Sequence, residues 1–231
     1  CGVFKSGFVN IIGLPNAGKS SIINRLLDDK FSIVTPKAQT TRHRAHAIIN
    51  GKDFQVVISD TPGFTTPKNK IHEYMNKKIL SSFKDADIIL FIVELGAENR
   101  RDNQLIEKIK KIKIPVLLVL NKVDKVNQDI LEEESNFWSN EIENIETWVV
   151  SAKENFNIQN LKNRVIELLP EGPKYYPDDI WTDKNERFFV NEIIREKIFN
   201  IYSQEIPYIS EVITESFKIR NKVLRISSMI I

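Results

Sequence analysis

Short apolar runs alternate along this chain with longer stretches whose apolar residues recur at helical spacing, the order expected when strands and helices alternate around one sheet. Residues 7–12, Gly-Phe-Val-Asn-Ile-Ile, read as a strand and 21–27 as the helix after it. Residues 45–50 and 54–59 read as two strands joined at Asn50-Gly51, the strongest short hairpin signal. Residues 87–93 and 115–120 are of the unbroken apolar type that suits parallel strands buried on both faces. Helical spacing returns at 71–83, 102–113, 128–140 and 158–169, with a further strand at 147–150. Two stretches have no sustained period: 31–44, longer than a usual connection, and 62–70. Long loops of this kind beside a binding site often carry function.

After residue 170 the texture changes. Pro170-Glu171-Gly172-Pro173 through Pro177-Asp178-Asp179 has the proline-rich character of a linker, which divides the chain into 1–170, a linker at 171–182 and a second unit at 183–231. Residues 187–202 predict an amphipathic helix with Phe189, Ile193, Ile194, Ile198 and Ile201 near one stripe. Residues 209–217 alternate, and 223–231 can pair with them as a second strand through Arg220-Asn221.

Composition narrows the class. With 231 residues, 42% of them hydrophobic and 28% charged, the chain can build one ordinary core and part or all of a second. A net charge of +2 neither demands nor forbids nucleic acid. A single cysteine, Cys1, excludes an internal disulfide framework and suits a reducing compartment. No apolar run approaches the ~20 residues of a membrane helix, so the chain reads as soluble.

The chemistry lies at the strand ends. Gly13-Leu14-Pro15-Asn16-Ala17-Gly18-Lys19-Ser20 is a complete GxxxxGKS phosphate-binding loop between a strand and a helix. A glycine-rich turn that opens a helix gathers backbone N–H groups and the positive end of the helix dipole into one nest for phosphate oxygens. Lys19 is placed to reach the β and γ phosphates, the Ser20 hydroxyl to ligate Mg2+, and Ser21 adjoins them in the first helical turn. In the loop 31–44, either Thr40 or Thr41 offers a hydroxyl for Mg2+ and an N–H for the γ phosphate, contacts that vanish when that phosphate leaves; Thr41 is preferred. Asp60-Thr61-Pro62-Gly63-Phe64 places a carboxylate at a strand end to hold Mg2+ and a glycine N–H near the γ phosphate. Many GTP-hydrolysing switches carry a water-orienting glutamine where Phe64 stands, so unaided hydrolysis is expected to be slow. Asn121-Lys122-Val123-Asp124 reads guanine, because the Asp124 carboxylate accepts from the ring N1–H and the exocyclic amine together. Ser151-Ala152-Lys153 completes the set with a backbone N–H for the guanine O6. Lys37, Arg42, His43, Arg44 and His46 make the first loop basic, which suits RNA, a regulatory partner or simply a solvated face.

These motifs, in this order, resemble the translation-factor-related small GTPases. With the loop Lys37-Ala38-Gln39-Thr40-Thr41-Arg42-His43-Arg44 and the segment 183–197, the chain resembles more closely the Era family, whose GTPase domain precedes a KH RNA-binding domain. The resemblance implies an α/β P-loop GTPase domain with a mostly parallel six-stranded sheet, followed by a partial KH-like α+β domain. It implies GTP and GDP as ligands with Mg2+ held by Ser20, Thr41 and Asp60, and catalysis by Lys19, Asn16, Thr41 and Gly63. Asn16 would further bind K+ in place of an arginine finger. It also implies binding to small-subunit (16S) ribosomal RNA and the 30S subunit during ribosome assembly, in the bacterial cytoplasm with peripheral association at the inner membrane face.

One departure bears on the second unit. A KH domain grips nucleic acid with a GxxG loop, and no GxxG follows Gly172. Either that part lies outside this sequence or this copy lacks the grip, and an apolar strand running to Ile231 favours the first. The rival reading is a GTP-gated module whose second unit docks protein; a tRNA-modifying GTPase would need a further domain before Cys1.

Overall fold

The computed structural model describes residues 3–32, 34, 41, 44–64, 76, 83–97, 101–143, 145–202, 206–220 and 223–231. Its sheet has six strands in the order β2-β3-β1-β4-β5-β6: β1 (Lys5–Gly13), β2 (Ala45–Asn50), β3 (Phe54–Asp60), β4 (Ile88–Glu94), β5 (Val116–Asn121) and β6 (Glu146–Val149). All neighbours are parallel except β2 on β3, which pair antiparallel from Ala45 with Asp60 to Asn50 with Gln55. The strand interiors are apolar on both sides, and helices cover both faces. On one face α1 (Lys19–Leu27) and α4 (Ile158–Leu168) supply Ile22, Ile23, Leu26, Leu161 and Val165. On the other, α2 (Asn103–Ile109) and α3 (Gln128–Glu141) supply Leu105, Ile106, Ile109 and Trp138. Because β1 lies between β3 and β4, the chain leaves its carboxyl end at the crevice where an open α/β sheet binds ligands.

Several boundaries move for identifiable reasons. The helix expected at 102–113 runs only Asn103–Ile109; Asp102 caps it by accepting from the Leu105 N–H at 2.9 Å, and tighter turn bonds from Lys111 and Ile112 close it before Pro115. The turn is shifted from Asn50-Gly51 to Lys52-Asp53, since Asn50 pairs with Gln55 and the Gly51 N–H donates to Phe54 O at 2.9 Å. The small residue at Gly51 lets the Phe54 ring lie over the turn, since a Cβ there would sit 2.2 Å from that ring and push it aside. The helix expected at 71–83 lies outside the described residues except for helical Asn76 and a 3-10 turn, Phe83–Asp85.

The second unit is a helix followed by a hairpin. Helix α5 (Glu186–Ile201) begins where Asn185 accepts from the Phe188 N–H at 3.0 Å. Of its expected apolar stripe, Ile198 is buried, but Ile193 and Ile201 are exposed. The buried positions beside Ile198 and Phe199 include Arg195 and Glu196 instead. Where 209–217 reads as a strand, Ile206–Ile209 forms a single helical turn, α6, and β7 begins at Val212 (Val212–Arg220), pairing antiparallel with β8 (Val223–Ile230).

The proline-rich segment between the units is no free tether. The Gln55 side chain, fully buried, accepts from the Tyr175 and Tyr176 N–H groups at 2.8 and 2.9 Å and donates to Tyr176 O at 2.8 Å. Asn50 donates to Asp178 O and Ile180 O, both at 3.1 Å, and the Ile48 N–H donates to Trp181 O at 2.8 Å. The segment thus covers the outer edge of β2, satisfying backbone groups that an edge strand leaves open.

Candidate nucleotide-binding site

Strand β1 ends at Gly13 and α1 begins at Lys19, so the phosphate loop spans the carboxyl edge of the sheet. Gly18 caps α1 with φ 96, a left-handed conformation that favours glycine, and a Cβ there would sit 2.2 Å from Asn121 Nδ2. Lys19 is buried; its Nζ donates to Leu14 O at 2.9 Å and to Gly13 O at 3.3 Å. Burial pushes its pKa down to about 8, with the Asp60 carboxylate pulling the other way, so the ammonium is still charged at neutral pH.

Opposite the loop, three oxygen-bearing side chains converge. Ser20 Oγ lies 3.3 Å from Thr41 Oγ1, while Thr40 lies outside the described residues. Asp60 stands at the end of β3, 3% exposed. Its Oδ2 accepts from Ser32 Oγ at 2.5 Å, and its buried Oδ1 has no hydrogen-bond partner among the described residues. Burial pushes its pKa up to about 6, against the Ser32 hydrogen bond and the Lys19 charge, and nearby Glu192 of α5 pushes it further. Two hydroxyls beside an under-coordinated carboxylate oxygen form a hard donor set that fits Mg2+. Bound there, the ion would neutralise phosphate charge.

The next turn is laid directly on the loop. Thr61 Oγ1 donates to Ile11 O at 2.6 Å, the Phe64 N–H donates to Gly13 O at 3.0 Å, and a Cβ on Gly63 would lie 2.8 Å from Pro15 N. Phe64, counted with this turn as part of the nucleotide site, contributes no side chain to it. Its ring, 1% exposed, packs into the core with Ile12 and Leu105, so only its backbone serves the site.

At the base end, Asn121 Nδ2 donates to Ala17 O at 2.9 Å and its Oδ1 accepts from the Ala152 N–H at 3.1 Å. Lys122 Nζ donates to Asn16 O and pairs with Glu94, both at 2.7 Å. Asp124 Oδ1 accepts from Ser151 Oγ at 2.5 Å, and that hydroxyl accepts from the Glu154 N–H at 3.1 Å. A cavity of about 690 Å³ opens between these groups, lined by Gly18, Ser21, Arg25, Asn121, Asp124 and Ala152 among others. Lys153 is also at its wall, its ammonium paired with Glu154.

Sequence reading missed several supports. Asn24 fixes the start of the first loop, its Oδ1 accepting from the Phe31 and Ser32 N–H groups at 2.9 and 2.8 Å, which in turn brings the Ser32 hydroxyl to Asp60. No motif spacing marks Asn24, Ser32, Arg25 or Glu94. Of the basic cluster, Lys37, Arg42 and His43 lie outside the described residues. Arg44 is bonded to Ser59 Oγ, and the His46 imidazole lies 3.3 Å from Asp183, so these two serve the fold.

Known proteins share this arrangement. A family model described as a 50S ribosome-binding GTPase matches residues 8–122. GTPase Era of Alkaliphilus metalliredigens is 41% identical over 94% of this chain and 74% of its own length. The chain belongs to the Era family of GTPases. It is therefore a GTP-binding, GTP-hydrolysing protein that works with Mg2+. GTPase Era of Clostridium kluyveri is 43% identical over 89% of this chain and 71% of its own. A crystal structure of Era in complex with MgGDPNP and nucleotides 1506–1542 of 16S ribosomal RNA superposes with a TM-score of 0.87 at 33% identity, over 98% of this chain and 78% of that one. A single-substitution variant of Aquifex aeolicus Era bound to GDP·AlF4− matches with the same TM-score and identity. Among the described residues, no helix is long and apolar enough to cross a membrane.

Proposed function

We propose that this Era-family GTPase is a nucleotide-gated switch that binds small-subunit ribosomal RNA and the 30S subunit and acts in ribosome assembly. Residues 13–21 cradle the phosphates, with Lys19 on the β and γ oxygens; Ser20, Thr41 and Asp60 hold Mg2+; Gly63 presents its N–H to the γ phosphate; Asn121 and Asp124 read guanine with the 151–153 loop. The observation that carries this is the meeting of Ser20, Thr41 and Asp60 beside Lys19. Thr41 belongs to a loop and Asp60 to the sheet, so a ligand that joins them changes the loop and one that lacks the γ phosphate releases it.

The RNA part draws on the relative that was crystallised with 16S ribosomal RNA and matches nearly the whole chain. The 50S description covers residues 8–122 alone, which carry the nucleotide motifs and not the second unit. The test is the salt-dependent affinity of the protein for small-subunit RNA with GTP analogue against GDP. A steep salt slope with a nucleotide-dependent offset is expected. Identical affinities would remove the gating, and no RNA binding at low salt would favour the protein-docking alternative.

Phe64 is turned into the core and supplies nothing to orient water, so turnover is slow unless another charge assists. Asn16, with φ 65 at the loop crest, is assigned to K+. Turnover faster in K+ than in Na+ is expected, and equal rates would cancel the assignment. Cytoplasmic residence and peripheral contact with the inner membrane face rest on the family likeness; vesicle flotation tests the latter.

A further inference from the structure

One cation at the wall of the base cavity has no part in the motifs. Arg25 stands in the last turn of α1 and makes two directed bonds to the loop after β6: Nε donates to Ala152 O at 2.7 Å and Nη2 to Lys153 O at 2.9 Å. The planar guanidinium suits such a paired grip, because its N–H vectors are fixed relative to one another. The loop is also closed on itself, with Ser151 and Phe156 exchanging backbone bonds at 3.2 and 2.9 Å.

The consequence follows from peptide geometry. In a planar trans peptide the C=O and the next N–H point in opposite directions. Pinning the Lys153 carbonyl turns the Glu154 N–H away from Arg25, and that N–H is found on Ser151 Oγ. Pinning the Ala152 carbonyl turns the Lys153 N–H away from Arg25 in the same manner. The Ala152 N–H is already engaged by Asn121 Oδ1. The peptide held by Arg25 therefore carries an N–H at the cavity wall that the loop can offer to a purine.

We propose that Arg25 is a positioning residue for guanine selectivity, holding the Ala152 and Lys153 carbonyls so that the Lys153 N–H meets the oxygen at the purine 6-position. This rests on the guanine reading of the pocket made above. Arg25 touches no reacting atom; it acts through the loop.

The probes are GDP and 6-thioguanosine diphosphate, which keeps the N1–H and exocyclic amine read by Asp124 but carries sulfur, a poor acceptor, at position 6. Dissociation constants are measured by calorimetry for the full chain, Arg25→Ala and Arg25→Lys. Arg25→Ala is expected to weaken GDP about five- to tenfold, the loss of one net hydrogen bond's worth of alignment. It should leave the thio analogue within about twofold, so that discrimination between the two collapses. Arg25→Lys, a point donor able to serve one carbonyl at a time, should recover part of it. Equal weakening of both nucleotides, or unchanged GDP affinity, would overturn the assignment while leaving the guanine pocket intact. Failure of the unaltered chain to bind either nucleotide would instead overturn the pocket reading, and the Arg25 role with it.

Discussion

Lys19 and Asp60 sit in one water-poor pocket with opposite charges, and burial drives both toward neutrality, to about 8 and about 6 respectively. Each is a group whose charged form is costly until a ligand of opposite sign arrives, which is the electrostatic signature of a site built for phosphate and metal. Asp124 is different: it is held by one hydroxyl, Ser151 on Oδ1, which leaves lone pairs on both of its oxygens for the two donors of the base. Asp124→Asn is expected to exchange guanine for xanthine preference, because an amide donor then faces a ring carbonyl in place of the exocyclic amine; competition binding with xanthosine diphosphate measures it, and retained guanine preference would refute the assignment. His46 gives a pH prediction. Burial holds its pKa below 6.5, helped by Arg44 and Lys184 and opposed by Asp183, and its Nε2 is buried with no partner among the described residues. A folded pKa below the unfolded one means protonation favours unfolding, so the histidine's contribution is present above pH 6.5 and is lost as pH falls through the folded value. Asp60 runs the opposite way, its raised pKa making the fold less stable as pH rises through about 6. The His46 part is isolated by comparing melting temperatures of the wild type and His46→Gln between pH 7.5 and 5. The variant should lose less on acidification, and parallel curves would contradict the reading.

At the scale of elements, the segment after residue 170 shows what local texture leaves out. Prolines and glycine mark a linker, and the chemistry that pins it lies in Gln55 and Asn50, more than 100 residues earlier. Gln55→Ala is expected to cost about 1–2 kcal/mol, since it leaves the part-buried Tyr175 and Tyr176 N–H groups without their acceptor. A fall in chemical-denaturation midpoint together with new proteolytic cleavage at 174–182 checks this, and a stability loss without cleavage would mean the segment is held by other contacts. Strands β4 and β5 were legible because continuous apolar runs admit one environment, a sheet covered on both faces, and β2 and β3 because a turn signal separates two short strand-like runs. Helix α5 was legible as a helix but not in its orientation, because buried Arg195 and Glu196 are stabilised by partners distant in sequence or on the same helix: Lys30 reaches Glu196 at 2.6 Å, and Arg195 pairs with Glu192.

For the whole molecule, the second unit touches the first where the nucleotide-sensing loop begins. Phe31 meets the rings of Phe189 and Trp181 edge-on, those two stack at 5.0 Å, and Phe188 and Glu192 share a small cavity with Ser32, Thr41 and Asp60. A rearrangement around Thr41 and Asp60 would reach α5 through Phe188 and Glu192, and the linker residue Trp181 through Phe31 and Phe189. A non-hydrolysable GTP analogue with Mg2+, compared with GDP, should therefore shift the Trp181 indole resonance, and Phe189→Ala, which removes one of the rings packed on that indole, should reduce the shift while nucleotide affinity stays within about twofold. An undiminished shift in the variant would place the coupling elsewhere.

The order of phosphate, metal and base motifs along the chain followed from sequence, because each requires a fixed residue type at a fixed offset within one turn, and a turn is a local object. Only the folded chain decided that Thr41 comes to Ser20, that Phe64 faces the core, and that Gln55, Asn24 and Arg25 hold the surrounding loops. Those depend on which surfaces meet across more than one element, and burial together with hydrogen-bond satisfaction, neither of which a local pattern encodes, selects among the alternatives.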